Sequence, residues 1–277
     1  LFRSDRQFQD APEVAARLHQ AIAKALDNRT NYADARREYQ RATELFEQSG
    51  GSDSQDAIIA QLQRAAAEAR SYEKDSLPLA KSIVKEQEAR IAKLAMPSED
   101  LRVWLSNARG MVALIDNNIG EANKSFSEAY DRSGKLGSFD ESSRLLFKQR
   151  LAFTYIRMGE GAKAEQLFRE LTDAFTKTDG PDSPNVLRVR LNLAQAFMVE
   201  QKHKDAVEET TRLYPMYVAK LGEEHELSMQ LLTTRAESEG ALGMYDDAVR
   251  DDRKIYNMAV RKRGARSEEH TSELQSL

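Results

Sequence analysis

The stretch LNLAQAFMVEQKHKDA at residues 191–206 sets the pattern for the whole chain. Its Ala206 belongs to a series that returns every 42 residues: Ala80, Ala122, Ala164, Ala206 and Ala248, with Ala35 another 45 residues earlier. Its Ala194 belongs to a second series at the same pace: Ala23, Ala65, Gly110, Ala152, Ala194 and Ala236. Small residues at a fixed period mark the places where neighbouring helices press together. The sequence therefore predicts an all-α fold of about six stacked helix-turn-helix repeats.

Helical phase within the repeats supports this prediction. In the second helix of each repeat, positions i, i+4 and i+7 lie on one face. The third repeat shows the pattern clearly, with Ala122, Phe126 and Ala129 at these positions. Pro215 lies inside the second helix of the fifth repeat, where it removes a backbone donor, so we expect a kink or an early helix end near Tyr214.

Turn residues fall where the period requires them. Asn117, Gly159 and Gly243 each come five residues before a second-helix alanine. These residue types tolerate the left-handed conformation that often ends a helix. Gly180 and Gly222 are again 42 residues apart and are expected to separate consecutive repeats.

Composition limits the classes of function. Of the 277 residues, 31% are charged and 40% hydrophobic, with a net charge of −4 and no cysteine. Basic and acidic residues alternate instead of forming a basic stripe, which argues against nucleic acid as a partner. No apolar run approaches the roughly 18 residues of a membrane span. Disulfides and thiolate metal sites are excluded, and the compartment cannot be read from cysteine usage.

The two ends of the chain suggest a fragment. The sequence begins at Leu1 without a methionine or a leader, so we expect it to be the interior of a longer protein. Residues 266–276 read RSEEHTSELQS, which is the translation of a common sequencing-adapter oligonucleotide. We therefore expect residues 1–265 to form one repeat domain and residues 266–277 to be disordered adapter read-through. The alternative for this segment is a genuine polar tail.

No motif predicts catalysis or a cofactor. The chain has no nucleophile elbow, phosphate-binding loop or dinucleotide-binding glycine triplet. Its four histidines are far apart and are expected to be structural or exposed: His19, His203, His225 and His270. Two acidic pairs, at 246–247 and 251–252, lie near basic residues and are expected to form a solvated, salt-bridged face. We therefore expect no catalytic residue, no metal site and no cofactor.

The repeats resemble tetratricopeptide repeats, and the 42-residue spacing is similar to that of the kinesin-light-chain subtype. The resemblance is strongest in residues 191–197, 202–206 and 221–225, and it extends over nearly all of residues 12–263. It implies a right-handed α-solenoid that binds protein or peptide. The opening segment DRQFQDAPEVAA, residues 5–16, is similar to the start of the repeat region in large bacterial signalling proteins. Those proteins carry an upstream winged-helix DNA-binding domain or serine/threonine kinase domain, followed by a membrane span.

The same resemblance suggests where a partner would bind. In this family one face of the first helices lines the concave surface. The matching side chains around the fourth and fifth repeats are expected to converge, exposed, on a groove that receives an extended segment with carboxylate groups: Arg150, Phe153, Arg157, Arg188, Asn192 and Gln195. Trp104 is interpreted as a packing residue or a groove anchor. The alternative for the whole set is a solvated groove wall without a ligand.

The expected function is therefore a protein- or peptide-binding sensor or scaffold within a bacterial signal-transduction protein or transcriptional regulator. The first alternative is the repeat region of a serine/threonine kinase, and the second is an enzyme with its active site on the array. A membrane-anchored parent would place the segment in the periplasm, and any other parent would place it in the cytoplasm. The sequence indicates neither the oligomeric state nor the partner.

Overall fold

The computed structural model describes residues 8, 10–29 and 31–275, with the side chains of Asn28 and residues 262–275 outside this description. Twelve helices and no strand occur in the described residues. The chain divides into two compact units, Leu1–Thr154 and Tyr155–Leu277, and each is described by itself. The predicted all-α, tetratricopeptide-like fold class is confirmed.

Unit 1 contains three helix pairs and most of a seventh helix. In chain order its helices are α1 (Pro12–Asn28), α2 (Tyr32–Gly50), α3 (Gln55–Arg70), α4 (Ser76–Ile91), α5 (Glu99–Ile115), α6 (Ile119–Ser133) and α7 (Glu141–Arg157). The last three residues of α7 belong to unit 2. Its core is apolar and runs between consecutive pairs: Ile58 and Leu62 of α3, for example, pack in one cluster with Leu101 of α5.

Unit 2 continues the same pattern from Tyr155 onward. Its helices are α8 (Gly161–Asp179), α9 (Pro184–Val199), α10 (His203–Leu221), α11 (Glu226–Ala241) and α12 (Tyr245–Gln275). The main core cluster joins three helices: Leu187 and Leu191 of α9, Leu213 and Tyr217 of α10, and Leu231 of α11. No helix of the described residues is both long and apolar enough to cross a bilayer.

The two small-residue series lie at the contacts between helices, as predicted. All members of both series are buried. Gly110 shows why one member has no side chain: a Cβ placed there would lie 2.7 Å from the ring of Phe126 on the paired helix α6. The 42-residue period therefore reflects the packing of neighbouring helices, and the fold was predicted from this relation.

Helix ends use local polar contacts. The side chains of Ser54, Ser98 and Ser183 each accept a hydrogen bond from a backbone N–H in the first turn of α3, α5 and α9. The predicted left-handed turns are present, at φ of 60° for Asn117 and 77° for Gly159 and Gly243. Asp75 and Gln201 occupy the same position in two further turns, at φ of 66° and 60°. Glutamine, unlike asparagine, aspartate or glycine, is not a residue type that favours this conformation.

Two expectations about helix ends differ from the structure. The early end near Tyr214 is wrong, because α10 continues through Pro215 to Leu221. Leu213 and Tyr217 on either side of the proline are buried in the unit 2 core, and this packing holds the helix together despite one lost donor. At the other end, the backbone of α12 is helical to Gln275, within the segment expected to be disordered. The packing of residues 266–277 lies outside the described side chains and stays a prediction.

Candidate functional site

Unit 1 has a narrow polar pocket to which four successive first helices contribute. Its polar lining residues are Lys24 and Asp27 of α1, Gln63 and Arg70 of α3, Asn107 of α5 and Arg150 of α7, together with Tyr39 of α2. Trp104 and Leu146 form apolar parts of the wall. About 20 Å³ of the pocket admits the centre of a water molecule, which is roughly the space of one ordered water. The pocket therefore fits a small polar group and excludes a bulky ligand.

Arg70 and Asp27 form an ion pair at the wall of this pocket. The Arg70 Nη2 lies 2.5 Å from both carboxylate oxygens of Asp27. The Arg70 Nε donates to the Ala66 carbonyl oxygen at 3.1 Å, and its guanidinium carbon lies 5.0 Å from the centre of the Tyr32 ring. Each charge is therefore matched, as buried charges require.

Arg150 lies in the same pocket without a carboxylate of its own. Its side chain is buried, with 9% of the residue exposed, and its Nη1 donates to the Asn107 Oδ1. Within the described part of the chain, no carboxylate oxygen lies within ion-pair distance of its guanidinium. Burial, and next the positive charge of Arg70, lower the pKa of Arg150, while Asp27 opposes the shift. Because arginine keeps its proton in proteins, this direction marks a cation in an unfavourable environment.

The charge of the pocket is positive. Lys24, Arg70 and Arg150 face one carboxylate, that of Asp27. Lys24 donates to the Ser143 hydroxyl at 3.3 Å instead of pairing with an acid in the pocket. A carboxylate entering beside Arg150 would supply the missing counter-charge and could accept two parallel hydrogen bonds from the guanidinium.

The six residues predicted to form the groove divide between the two units. Arg150 and Phe153 lie on α7 in unit 1, whereas Arg157, Arg188, Asn192 and Gln195 belong to unit 2. Arg157 is exposed, and Phe153 is half-buried. The expectation that Arg150 is exposed is wrong, because the first helices of three other repeats surround it. Whether the six residues bind a common partner stays a prediction.

On α9, the predicted residues share one face. Arg188, Asn192 and Gln195 follow the i, i+4, i+7 pattern, and all three are half-buried. The side-chain oxygen Oε1 of Gln195 is buried and has no hydrogen-bond partner. Arg190 lies on the opposite side of α9, where it pairs with Glu209 of α10, with Nε 2.6 Å from Oε1. The face therefore offers one unsatisfied acceptor and polar side chains to an incoming group.

The sequence did not predict the partners of Arg150. Asp27, Arg70 and Asn107 lie at different distances from the small residue of their helices, so no periodic pattern brings them together. Trp104 packs against the rings of Phe139 and Phe147 and also lines the pocket, and its role as a groove anchor stays a prediction. The sequence signal that could have found this set is a polar residue on the side of a first helix that the period predicts to be buried.

The remaining candidates have structural partners. The His225 Nδ1 accepts a hydrogen bond from the Leu227 N–H at 3.2 Å and caps α11, and the His19 Nδ1 lies 2.6 Å from the Glu38 carboxylate. His203 is half-buried, and the side chain of His270 lies outside the described residues. No group of three or more potential metal ligands occurs among the described residues.

The acidic pairs do not both form a solvated face. Asp247 pairs with Arg250 near the surface, at 2.7 Å, as expected. Asp251 differs from the expectation, because it is fully buried and pairs with Arg235 of α11 at 2.5 Å. Asp251 lies on the side of α12 that faces α11, and its ion pair with Arg235 links the two helices.

The comparisons with known proteins agree with this architecture. Residues 143–217 match the tetratricopeptide repeat family model. No curated protein matches the sequence. The chain thus contains a tetratricopeptide repeat region, and the match begins within α7, the helix that carries Arg150.

Solved structures with the same fold come from several kinds of protein. The putative kinesin light chain TPR-like repeats of Podosopora anserina share 20% identity over 74% of this chain and 97% of that chain, with a TM-score of 0.55. BtubC (BKLC) from P. vanneervenii shares 15% identity over 94% and 92%, with a TM-score of 0.55. A Rap protein complexed with competence and sporulation factor shares 14% over 88% and 65%, with a TM-score of 0.69. At these identities the likeness concerns the fold alone.

Proposed function

We propose that this tetratricopeptide repeat region binds an extended protein or peptide segment through a carboxylate group that enters the unit 1 pocket beside Arg150. The observation that supports the proposal most directly is the buried guanidinium of Arg150, which has an amide partner and no acid. A buried, unmatched cation costs folding free energy. An acidic group that binds beside Arg150 supplies the missing counter-charge and so offsets that cost.

The pocket suits the end of a side chain or of a peptide, since its space is about that of one water molecule. The donors are held by the packing of four helices, so little ordering is needed when the ligand binds. A rigid guanidinium at a fixed depth then selects carboxylates over amides of the same size.

The proposed biological role is that of a sensor or scaffold in a bacterial signalling protein. Its support is the resemblance of residues 5–16 and of the repeats to the repeat regions of such proteins, together with the similar fold of the Rap protein complexed with competence and sporulation factor. A winged-helix transcriptional regulator is the proposed parent, and a serine/threonine kinase is the alternative parent. The proposed role of this segment is the same in either parent protein: its helices supply the surface that binds the partner.

The proposed activity is binding without catalysis. The ionisable and polar pocket groups are two guanidiniums, an ammonium, two amides, an indole, a phenol and one carboxylate that is already paired with Arg70. Burial raises the pKa of the Tyr39 phenol, and the nearby Asp27 raises it further, so this phenol stays protonated near neutral pH. None of these groups serves as a general base at that pH.

A peptide selection tests the proposal. A random displayed-peptide library is selected on the chain and, in parallel, on Arg150→Met, and binding of the recovered peptides is followed by fluorescence. Trp104 is the chain's one tryptophan and lines the pocket, so its emission reports entry of a ligand. We expect peptides rich in Asp and Glu, with affinity for Arg150→Met at least about 30-fold weaker, as for an interface residue worth about 2 kcal/mol.

The matched control is Arg37→Met, which removes an exposed arginine that pairs with Asp34 in the same unit. It changes the net charge equally, so the selected peptides should bind it as they bind the unchanged chain. Recovery of neutral peptides, or equal affinity for Arg150→Met and the unchanged chain, contradicts the proposal.

A further inference from the structure

The unit 1 pocket has more hydrogen-bond donors than acceptors. Within the part of the chain that the structure describes, Arg150 donates only through its Nη1, to the Asn107 Oδ1. In that same part of the chain, the Asn107 Nδ2 and the Tyr39 hydroxyl have no hydrogen-bond partner, although both residues are buried. The pocket's one carboxylate, that of Asp27, is already bonded through both oxygens to Arg70. The pocket therefore lacks an acceptor for several buried donors.

The space beside these donors is small and closed. It is about that of one ordered water molecule. Trp104 and Leu146 close part of the wall with apolar surface. A sulfate or phosphate ion exceeds this space, whereas a chloride ion is only slightly larger than a water molecule. Among the common inorganic anions, the size of the pocket thus favours chloride.

The unmatched buried charge of the pocket is that of Arg150. Arg70 and Asp27 cancel each other in their ion pair. Lys24 is only half-buried and donates to the Ser143 hydroxyl, so solvent screens much of its charge. A single monovalent anion beside Arg150 would match the remaining charge, as a buried charge requires.

We infer that the unit 1 pocket binds one chloride ion beside Arg150 when no carboxylate group occupies it. The ion accepts hydrogen bonds from the Arg150 guanidinium, the Asn107 amide and the Tyr39 hydroxyl. Chloride and a carboxylate ligand then compete for the same position, so the chloride concentration regulates ligand binding. This competition rests on the proposed function, whereas the chloride site does not depend on it.

Chloride-35 nuclear magnetic resonance tests the site without any peptide. Chloride held by a protein relaxes rapidly, so its exchange with a bound site broadens the resonance of chloride in solution. We expect the unchanged chain to broaden this resonance, and Arg150→Met to bind chloride at least about tenfold more weakly, because a charged donor is lost. Arg37→Met is the control, since it removes an exposed arginine that pairs with Asp34. It should broaden the resonance as the unchanged chain does.

Asn107→Asp tests the charge argument while retaining Arg150. A carboxylate at position 107 gives the guanidinium a permanent counter-charge within the protein. This variant should therefore lose chloride binding as Arg150→Met does. Thermal melts in sodium chloride and in sodium isethionate of equal ionic strength provide a second measurement, because isethionate is too bulky for the pocket. The unchanged chain and Arg37→Met should melt at a higher temperature in chloride, and the two pocket variants should not.

Competition is measured with formate and with the selected acidic peptides. Formate is the smallest carboxylate, and it should reverse the broadening of the chloride resonance. At a chloride concentration about ten times its dissociation constant, a selected peptide should bind about tenfold more weakly than in isethionate of equal ionic strength. Matched ionic strength separates this effect from the screening of surface charges.

The outcomes of these tests distinguish the inference from the proposed function. Equal chloride broadening by the unchanged chain and by either pocket variant would indicate an adventitious ion only and would overturn the inference. Chloride binding that neither formate nor the peptides reverse would overturn the shared position. If both pocket variants lose chloride binding but the selection yields no acidic peptide, the chloride site is supported and the proposed function is contradicted.

Discussion

At the scale of single residues, the contrast between Arg70 and Arg150 is the clearest physical feature of unit 1. Both guanidiniums line one pocket, but Arg70 has Asp27 as an ion-pair partner and Arg150 has the neutral side chain of Asn107. Removing one member of a buried ion pair leaves the other charge unmatched, whereas removing an unmatched charge does not. The two arginines should therefore differ in their effect on folding.

We expect Arg70→Met to lower the free energy of unfolding by about 3 to 5 kcal/mol, because it removes the ion-pair partner that lies 2.5 Å from both oxygens of the buried Asp27 carboxylate. Arg150→Met should stay within about 1 kcal/mol of the unchanged chain, since relief of a buried cation offsets the hydrogen bond lost at Asn107. Urea denaturation at neutral pH measures both values. A loss for Arg150→Met as large as that for Arg70→Met would show that the Arg150 charge is stabilised in the absence of a ligand.

The sequence predicted Arg150 as a site residue but placed it in an exposed setting. Helical phase gives the side of a helix on which a residue lies. Phase does not give the distance to the next first helix, which depends on how closely successive pairs pack. Asp27 and Asn107 were not predicted because polar residues on a helix read as solvated until a partner across the pocket is known.

At the scale of elements, the closeness of each helix pair depends on the small-residue series. Gly110 of α5 is the series member whose side chain is absent altogether, and the Phe126 ring on α6 fills the space. Phe126 is fully buried, so its ring has little room to move. The contact between α5 and α6 therefore requires glycine, although glycine weakens a helix.

We expect Gly110→Ala to lower the free energy of unfolding by about 1 to 2 kcal/mol. The 2.7 Å approach of a Cβ to the Phe126 ring puts the overpacking cost at about 2 to 3 kcal/mol, and the gain in helix propensity offsets about 1 kcal/mol of it. Gly120→Ala is the matched control on α6, because a Cβ at Gly120 meets no atom within 4 Å. That variant should be as stable as the unchanged chain or slightly more stable. Thermal melts of both proteins test the pair, and an unaffected melting temperature for Gly110→Ala would contradict the packing argument.

The ends of helices were predictable where the residue type in the turn favours a left-handed conformation. Asn117, Gly159 and Gly243 mark their turns by residue type, whereas Gln201 holds the same left-handed conformation without such a mark. The early helix end expected at Pro215 is absent, because the core contacts of Leu213 and Tyr217 outweigh the loss of one backbone donor. Local propensity therefore predicts an element only where tertiary packing does not override it.

At the scale of the whole molecule, periodicity predicted the number of helices and their pairing without reference to any single contact. The interval of 42 residues was sufficient because each repeat meets mainly its neighbours, so one spacing describes every interface. The pocket could not be predicted in this way. Its residues come from four repeats, and only the assembled unit brings them together. The four that pair or bond within it, Asp27, Arg70, Asn107 and Arg150, lie at four different offsets from the small residue of their helices.

The segment from 266 to 277 provides a prediction at this scale. If these residues derive from a sequencing adapter, their side chains were never selected to pack on the repeats. Deleting them should leave the melting temperature unchanged to within about 1 °C, since surface changes rarely exceed about 0.5 kcal/mol. Circular dichroism melts of the full and shortened chains test this, and a clear loss of stability would identify the segment as part of the domain.

The uneven offsets of the pocket residues have a consequence for how the gene can change. An in-frame duplication or loss of 42 codons renews every contact between neighbouring repeats, so the array can lengthen or shorten in one event. The same event within the first four repeats would separate Asp27, Arg70, Asn107 and Arg150, because each of these four residues comes from a different repeat. The number of repeats after the fourth can thus change without disturbing the pocket, whereas a change in the number of repeats among the first four would disrupt it.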